Sequence, residues 1–341
     1  MIVSFILLIL VWLLPTKGSM ICYQRDQSQM LKFIAALIVV VGHQAGFYCS
    51  HNETFMRETG FGAFCVSFFL FMSGYGLLFS LVKKQQQLSW GWLKKRMVKL
   101  MVPAFTAMCL YVLVELLLNK DVDWRNLFTY WFVSDVNLRY GWYVSEIIVL
   151  YMAFFACYRY FPQKRATFLL CLSIAIAMII MLAIRCAIWY VLGLPCFVAG
   201  LLLAKCNIEN KGCSVGLSGL QIKVLMSAVV VLFLLFKDFD LVQQAFPVLD
   251  KWRYALASKF AANLVWIGIV AYVLMRLPVS KVMVNRGGYF YEVYLVQGAT
   301  LLVCREWIEN DCLFVVLGLL VTIIVAKGMS MVNSWIVKNI S

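Results

Sequence analysis

Lys32 and His43 lie 11 residues apart in one apolar run, Leu31 to Gly46 (LKFIAALIVVVGHQAG), and His43 is one of only two histidines in the chain. In a helix that spacing returns to within about 20° of the same face. It also separates the two groups by about 16 Å along the axis, roughly half the thickness of a bilayer's hydrocarbon core. One polar group therefore belongs at the edge of an apolar span and the other well inside it. Ala35 and Ala36 fall near the same face, where small side chains let a neighbouring helix approach. An ionisable side chain at that depth is costly, so it marks a polar pathway or a site unless it only hydrogen-bonds another helix. The chemistry an imidazole offers there is removal of a proton from a hydroxyl.

Three carboxylates also fall inside apolar runs: Glu115, Glu146 and Glu292. A carboxylate beside a histidine sets its tautomer and raises its basicity, so Glu146, at about the expected depth of His43, is the expected partner, with Glu115 second. Each of them is also explained by a structural hydrogen bond between helices. The stretch SWGWLKKRMVKLMVP, Ser89 to Pro103, gathers Lys94, Lys95, Arg96 and Lys99 at the start of a helix. Several cations together suit an anion with several phosphates, with Arg binding bidentately and Lys as a point charge. A topology signal or contact with anionic lipid accounts for the same residues.

The elements that must position these groups follow from composition. Of 341 residues 64% are hydrophobic and only 13% charged, more apolar surface than a soluble domain can hide, so the chain is expected to be all-α and polytopic in a membrane. Ten core spans are expected at 30–48, 62–82, 98–119, 142–161, 167–184, 187–204, 222–236, 256–275, 287–304 and 312–336, preceded by an uncleaved N-terminal hydrophobic helix at 2–15. Residues 1–26 then form that helix and a linker, and 27–341 the transmembrane domain. The net charge of +14 is no nucleic-acid signal, because 20 of the 30 Lys and Arg residues fall in alternate loops, on the side expected to face the cytoplasm. The N-terminus is then outside, the C-terminus inside, and the His43 helix runs outward from Lys32. Trp124, Tyr130, Trp131, Tyr140 and Trp142 surround one outward loop and suit either an interfacial belt or a stacking surface for a sugar. Of the 12 cysteines, Cys65, Cys109, Cys157, Cys171 and Cys196 fall inside apolar runs and read as small hydrophobes, and a Cys49–Cys312 disulfide is open but not fixed by spacing; no metal cluster is suggested. GxSxG, Walker, GxGxxG and HExxH patterns are missing, which disfavours a serine hydrolase, an NTPase and a zinc protease.

From about residue 27 onward the chain resembles the membrane-bound acyltransferase 3 family. The family's first core helix carries a basic residue, ten intervening residues and a histidine, which Lys32 and His43 reproduce with Lys where Arg is commoner. FFLFMSGYGL, with Ser73 and Gly74, resembles its second-helix signature, and Arg96 to Pro103 its basic motif. GWYVSEIIVLY, with Trp142 and Tyr143, and LPCFVAGLLLAK, with Pro195 and Gly200, resemble two further family stretches. GYFYEVYLVQG, with Tyr294 and Gln297, resembles its closing motif, except that Gln297 and Gly288 stand where histidine and serine are commoner.

The resemblance implies transfer of an acyl group, most often acetyl, from cytoplasmic acyl-CoA to a hydroxyl of a bacterial surface glycan or lipid-linked glycan precursor. It implies the bacterial cytoplasmic (inner) membrane, with Lys32, Arg96 and Lys99 holding the phosphates of the donor and His43 acting as base or as acyl carrier. Acyl-CoA is a substrate here, and no bound cofactor, metal or nucleic acid is expected. Some members carry an extracellular hydrolase-like domain that completes transfer; none is expected here, so the protein acts alone or with a separate partner. The rival readings are a transporter or flippase for a glycan or lipid, which calls for paired repeats with Gly/Pro-broken helices, and a catalytically inactive scaffold.

Overall fold

In hydrocarbon a chain must satisfy its own backbone groups, and within one segment only a helix does so. The computed structural model describes residues 9, 12–13, 25–49, 51, 61–83, 88–122, 124, 141–187, 189–209, 219–237, 259–269 and 280–340, and among these every regular element is helical. In chain order these are α1 (Arg25–His43), α2 (Phe61–Lys83), α3 (Trp90–Leu117), α4 (Trp142–Tyr160), α5 (Gln163–Ala183), the single turn α6 (Trp189–Leu192), α7 (Leu194–Glu209), α8 (Gly219–Lys237), α9 (Lys259–Ile269), the short α10 (Lys281–Arg286), α11 (Phe290–Trp307) and α12 (Asp311–Ile340).

Among the described residues, six segments are long and apolar enough to cross a membrane: α1 with the turn that follows it, α2, α3, α5, α6 with α7, and α12. The protein is thus a multi-pass helical membrane protein. α11 is not among the six, because Glu292, Arg305 and Glu306 put three charges into its 18 residues. Of the expected N-terminal helix only Ile9, Trp12 and Leu13 are described, and Tyr130, Trp131 and Tyr140 lie outside the described residues. The basic stretch opens a helix as expected, and that helix starts at Trp90, ahead of the span expected from 98. Ser89 caps α3 by accepting the amide N–H of Trp92 (3.1 Å), so Lys94, Lys95, Arg96 and Lys99 are all helical.

The chain forms two compact units. One comprises residues 1–31, 63–86 and 177–285. Within it α2 and α7 approach backbone to backbone: a Cβ on Gly74 would overlap the carbonyl oxygen of Phe197, and one on Gly200 the carbonyl oxygen of Phe71. The two family-motif glycines therefore serve one reciprocal crossing. Phe64, Phe233 and Trp266 pack their rings 5.1–6.2 Å apart in the same unit.

The second unit comprises residues 32–62, 87–176 and 286–341, with α11 packed against both α3 and α12. Its polar residues face protein instead of lipid, and Glu292, Gln297 and Thr300 are all buried. Tyr291 Oη donates to the carbonyl of Leu100 (3.2 Å), in the turn of α3 just before Pro103. Higher up, Gly298 leaves room for the hydroxyl and ring of Tyr111. On the other side Thr300 shares a 2.7 Å hydrogen bond with Thr322 of α12. The pairings with Leu100 and Tyr111 make α3 and α11 run in one direction, and Thr300–Thr322 with Glu292–Asn333 makes α12 run in the other.

Candidate active site

α1 lays its two polar residues along α11. Lys32 Nζ sits 5.4 Å from the ring centroid of Phe290, and His43 Nδ1 is 2.9 Å from Gln297 Oε1. The 11-residue spacing on one helix thus meets a seven-residue spacing, two turns, on the other. Gln297 is fully buried, and its Nε2 donates to the carbonyl of Tyr294 one turn earlier (2.8 Å). Tyr294 in turn meets the edge of Tyr143 on α4, with centroids 5.4 Å apart and planes at 75°. The histidine is half-buried, its ring 5.9 Å from that of Phe47.

The helix changes character at this histidine. α1 ends at His43 and continues as a π-helical turn, Gln44–Tyr48. Such turns insert a residue into the helical ladder and are frequent at functional sites. Gln44, fully buried, anchors this one by donating from Nε2 toward the carbonyls of Phe314 and Val315 on α12 (3.2 Å each). Gly318 makes the space, since a Cβ there would come within 2.6 Å of Gln44 Nε2.

At the opposite end of α1 the site is cationic. Arg96 lies over the rings of Trp92 (5.4 Å) and Tyr151 (6.0 Å), and it is near enough to Lys32 for the two charges to repel. Two cations beside aromatic faces favour an anion that neutralises both. Lys94, Lys95 and Lys99 are exposed on the same helix, so the structure brings Lys32 and Arg96 together but leaves Lys99 at the surface.

Of the three carboxylates, Glu146 is placed differently from expectation. Glu146 is buried, and neither of its oxygens has a hydrogen-bond partner among the described residues, so it does not orient His43; Gln297 holds that place. The reason is the start of α4. Tyr143 already meets Tyr294, one turn below Gln297, and α4 runs antiparallel to α11, so Glu146 lies another turn toward the Lys32 end. Depth read from span boundaries could not resolve that offset. Glu292 accepts from Asn333 Nδ2 (3.3 Å), whose Oδ1 accepts from the Thr106 hydroxyl (2.7 Å), a chain joining α11, α12 and α3. Glu115 is half-buried near the far end of α3. Trp142 is half-buried at the start of α4, next to buried Tyr143. Ser73 and Gly74 lie on α2 in the first unit.

A family model described as an acyltransferase domain matches residues 26–330, nearly the whole chain, including Lys32, His43, Arg96, Glu146 and Gln297. The chain belongs to the acyltransferase 3 family. No curated protein and no solved structure matches it. Membership of the acyltransferase 3 family makes the protein a membrane acyltransferase and agrees with the resemblance of residues 27 onward. Gln44, Asn333 and Thr106 are structural supports that motif matching passes over. Their one signal in the sequence is that each is a polar residue interrupting an apolar run.

Proposed function

We propose that the protein moves an acyl group, acetyl in the simplest case, from cytoplasmic acyl-CoA to a hydroxyl of a surface glycan or lipid-linked glycan precursor at the bacterial inner membrane. The observation that supports this reading most is that α1 carries Lys32 at one end, beside Arg96 of α3, and the imidazole of His43 at the other. The phosphates of the donor neutralise Lys32 and Arg96, with Lys99 meeting them at the surface, and its thioester extends toward His43. His43 removes the proton of the acceptor hydroxyl as that oxygen bonds the acyl carbonyl carbon. The carbon–sulfur bond then breaks, and the departing thiolate takes up the proton. Glu146, buried between the level of the cations and that of the imidazole, is the group proposed to accept a hydrogen bond from substrate. Ten core spans plus the N-terminal helix, with the N-terminus outside and the C-terminus in the cytoplasm, complete the reading.

Surface glycans from cells carrying the intact protein should bear ester-linked acyl groups that cells carrying His43→Ala lack, with equal protein in the membrane fraction. Equal ester content in the two strains would refute the assignment of His43.

A further inference from the structure

Gln297 offers either end of its amide to a neighbour, an oxygen that accepts or a nitrogen that donates, and here the choice is made by the protein. Its Nε2 is engaged by the carbonyl of Tyr294 at 2.8 Å, a group that can only accept. The oxygen must therefore face the 2.9 Å contact with His43 Nδ1. An amide oxygen cannot donate, so the proton of that hydrogen bond belongs to Nδ1. We infer that Gln297 is a positioning residue that fixes His43 in the Nδ1–H tautomer and leaves the basic lone pair on Nε2.

The arrangement is built to hold. Gln297 is fully buried on α11, with the buried residues Tyr294 and Leu301 one turn to either side. Tyr294 is wedged against Tyr143, which keeps its turn of the helix in place. The histidine is steadied separately, since Gln44, the next residue along, is tied to α12. A neutral amide does this differently from a carboxylate. It sets the tautomer and the ring plane without a buried negative charge that would favour the imidazolium, so the ring stays available to take a proton instead of already holding one.

The role of Nε2 as base rests on the function proposed above, whereas the tautomer does not, and the test separates them. The chain has two histidines, so replacing His51 by glutamine leaves a single ring to observe. Nitrogen-15 NMR of His51→Gln protein carrying labelled histidine, in lipid bilayers at a pH where the ring is neutral, should show the protonated nitrogen to be Nδ1. Adding Gln297→Leu should shift the population toward Nε2–H, and Gln297→Glu should retain an oxygen acceptor and the original tautomer. In acyl-transfer kinetics Gln297→Leu should lower kcat by about tenfold or more with the KM for acyl-CoA nearly unchanged, and Gln297→Glu should recover most of that loss at a pH high enough to keep the His43 ring neutral. A proton on Nε2 in the parent protein overturns the inference outright, without needing any variant to fold. So does an unchanged tautomer in folded Gln297→Leu, or equal kcat for the Leu and Glu variants at that pH. Protein with the Nδ1–H ring that transfers no acyl group would sustain the tautomer and refute the function.

Discussion

Arg96 and Lys32 show how two like charges are made tolerable near an apolar interior. Arg96 spreads its guanidinium over Trp92 and Tyr151, and Lys32 sets its ammonium over Phe290. Aromatic faces attract a cation without neutralising it, so the pair keeps its charge for a ligand. Replacing Arg96 by glutamine should raise the KM for acyl-CoA by roughly tenfold while leaving kcat at saturating donor within about threefold, the signature of a lost charge-assisted contact made equally in ground and transition states. A fall in kcat with unchanged KM would place Arg96 in the chemical step instead. Lys99, exposed on the next turn of α3, should have a smaller effect on the same measurement. The sequence made the 11-residue relation between Lys32 and His43 legible because helix geometry alone relates them. It could not show that Gln297, 254 positions later, would take the place expected of Glu146, because that depends on where α4 begins relative to α11.

At the scale of the helices, small residues decide where backbones cross. Gly74 and Gly200 each face the opposite backbone carbonyl, and a backbone cannot swing aside as a long side chain can. Gly74→Ala or Gly200→Ala should therefore cost about 1–3 kcal/mol and lower the thermal midpoint of the detergent-solubilised protein. Gly76→Ala, where a Cβ meets nothing within 4 Å, should be neutral or mildly stabilising. Comparable losses at Gly74 and Gly76 would contradict the crossing. Apolar runs announced the positions of most helices, since a run of leucine and valine with no breaker has few alternatives to a helix. Two features escaped that reading. α3 starts at Trp90 because a serine cap and aromatic packing extend the helix through its basic residues, and the π turn after His43 depends on Gln44 finding carbonyls on α12.

For the whole molecule the alternation of basic loops makes a prediction that native cysteines can check. Cys206 and Cys312 are both exposed and lie at opposite expected faces, Cys206 beside Lys205 and Cys312 beside Asp311. A membrane-impermeant maleimide should label Cys312 in intact cells and Cys206 only after the membrane is opened; the reverse pattern would invert the topology. Cys49 and Cys312 are free thiols in the structure, so the disulfide left open by spacing is not formed there. Cys49 should stay unlabelled in either case, because burial, and then the negative charge of Asp311, push its thiol up to about 11. It is fully buried as well. Within the second unit the directions of α1, α3, α4, α11 and α12 agree with strict alternation along the chain.

Everything in the proposed reaction passes through the transfer of an acyl group off coenzyme A at His43. The most direct measurement is release of coenzyme A thiol from acetyl-CoA by purified protein in lipid vesicles, with and without an acceptor glycan, for the intact chain and for His43→Ala. The account predicts acceptor-stimulated release by the intact protein and a loss of at least about a hundredfold in the variant. Release at equal rates from both, with both folded, would contradict it.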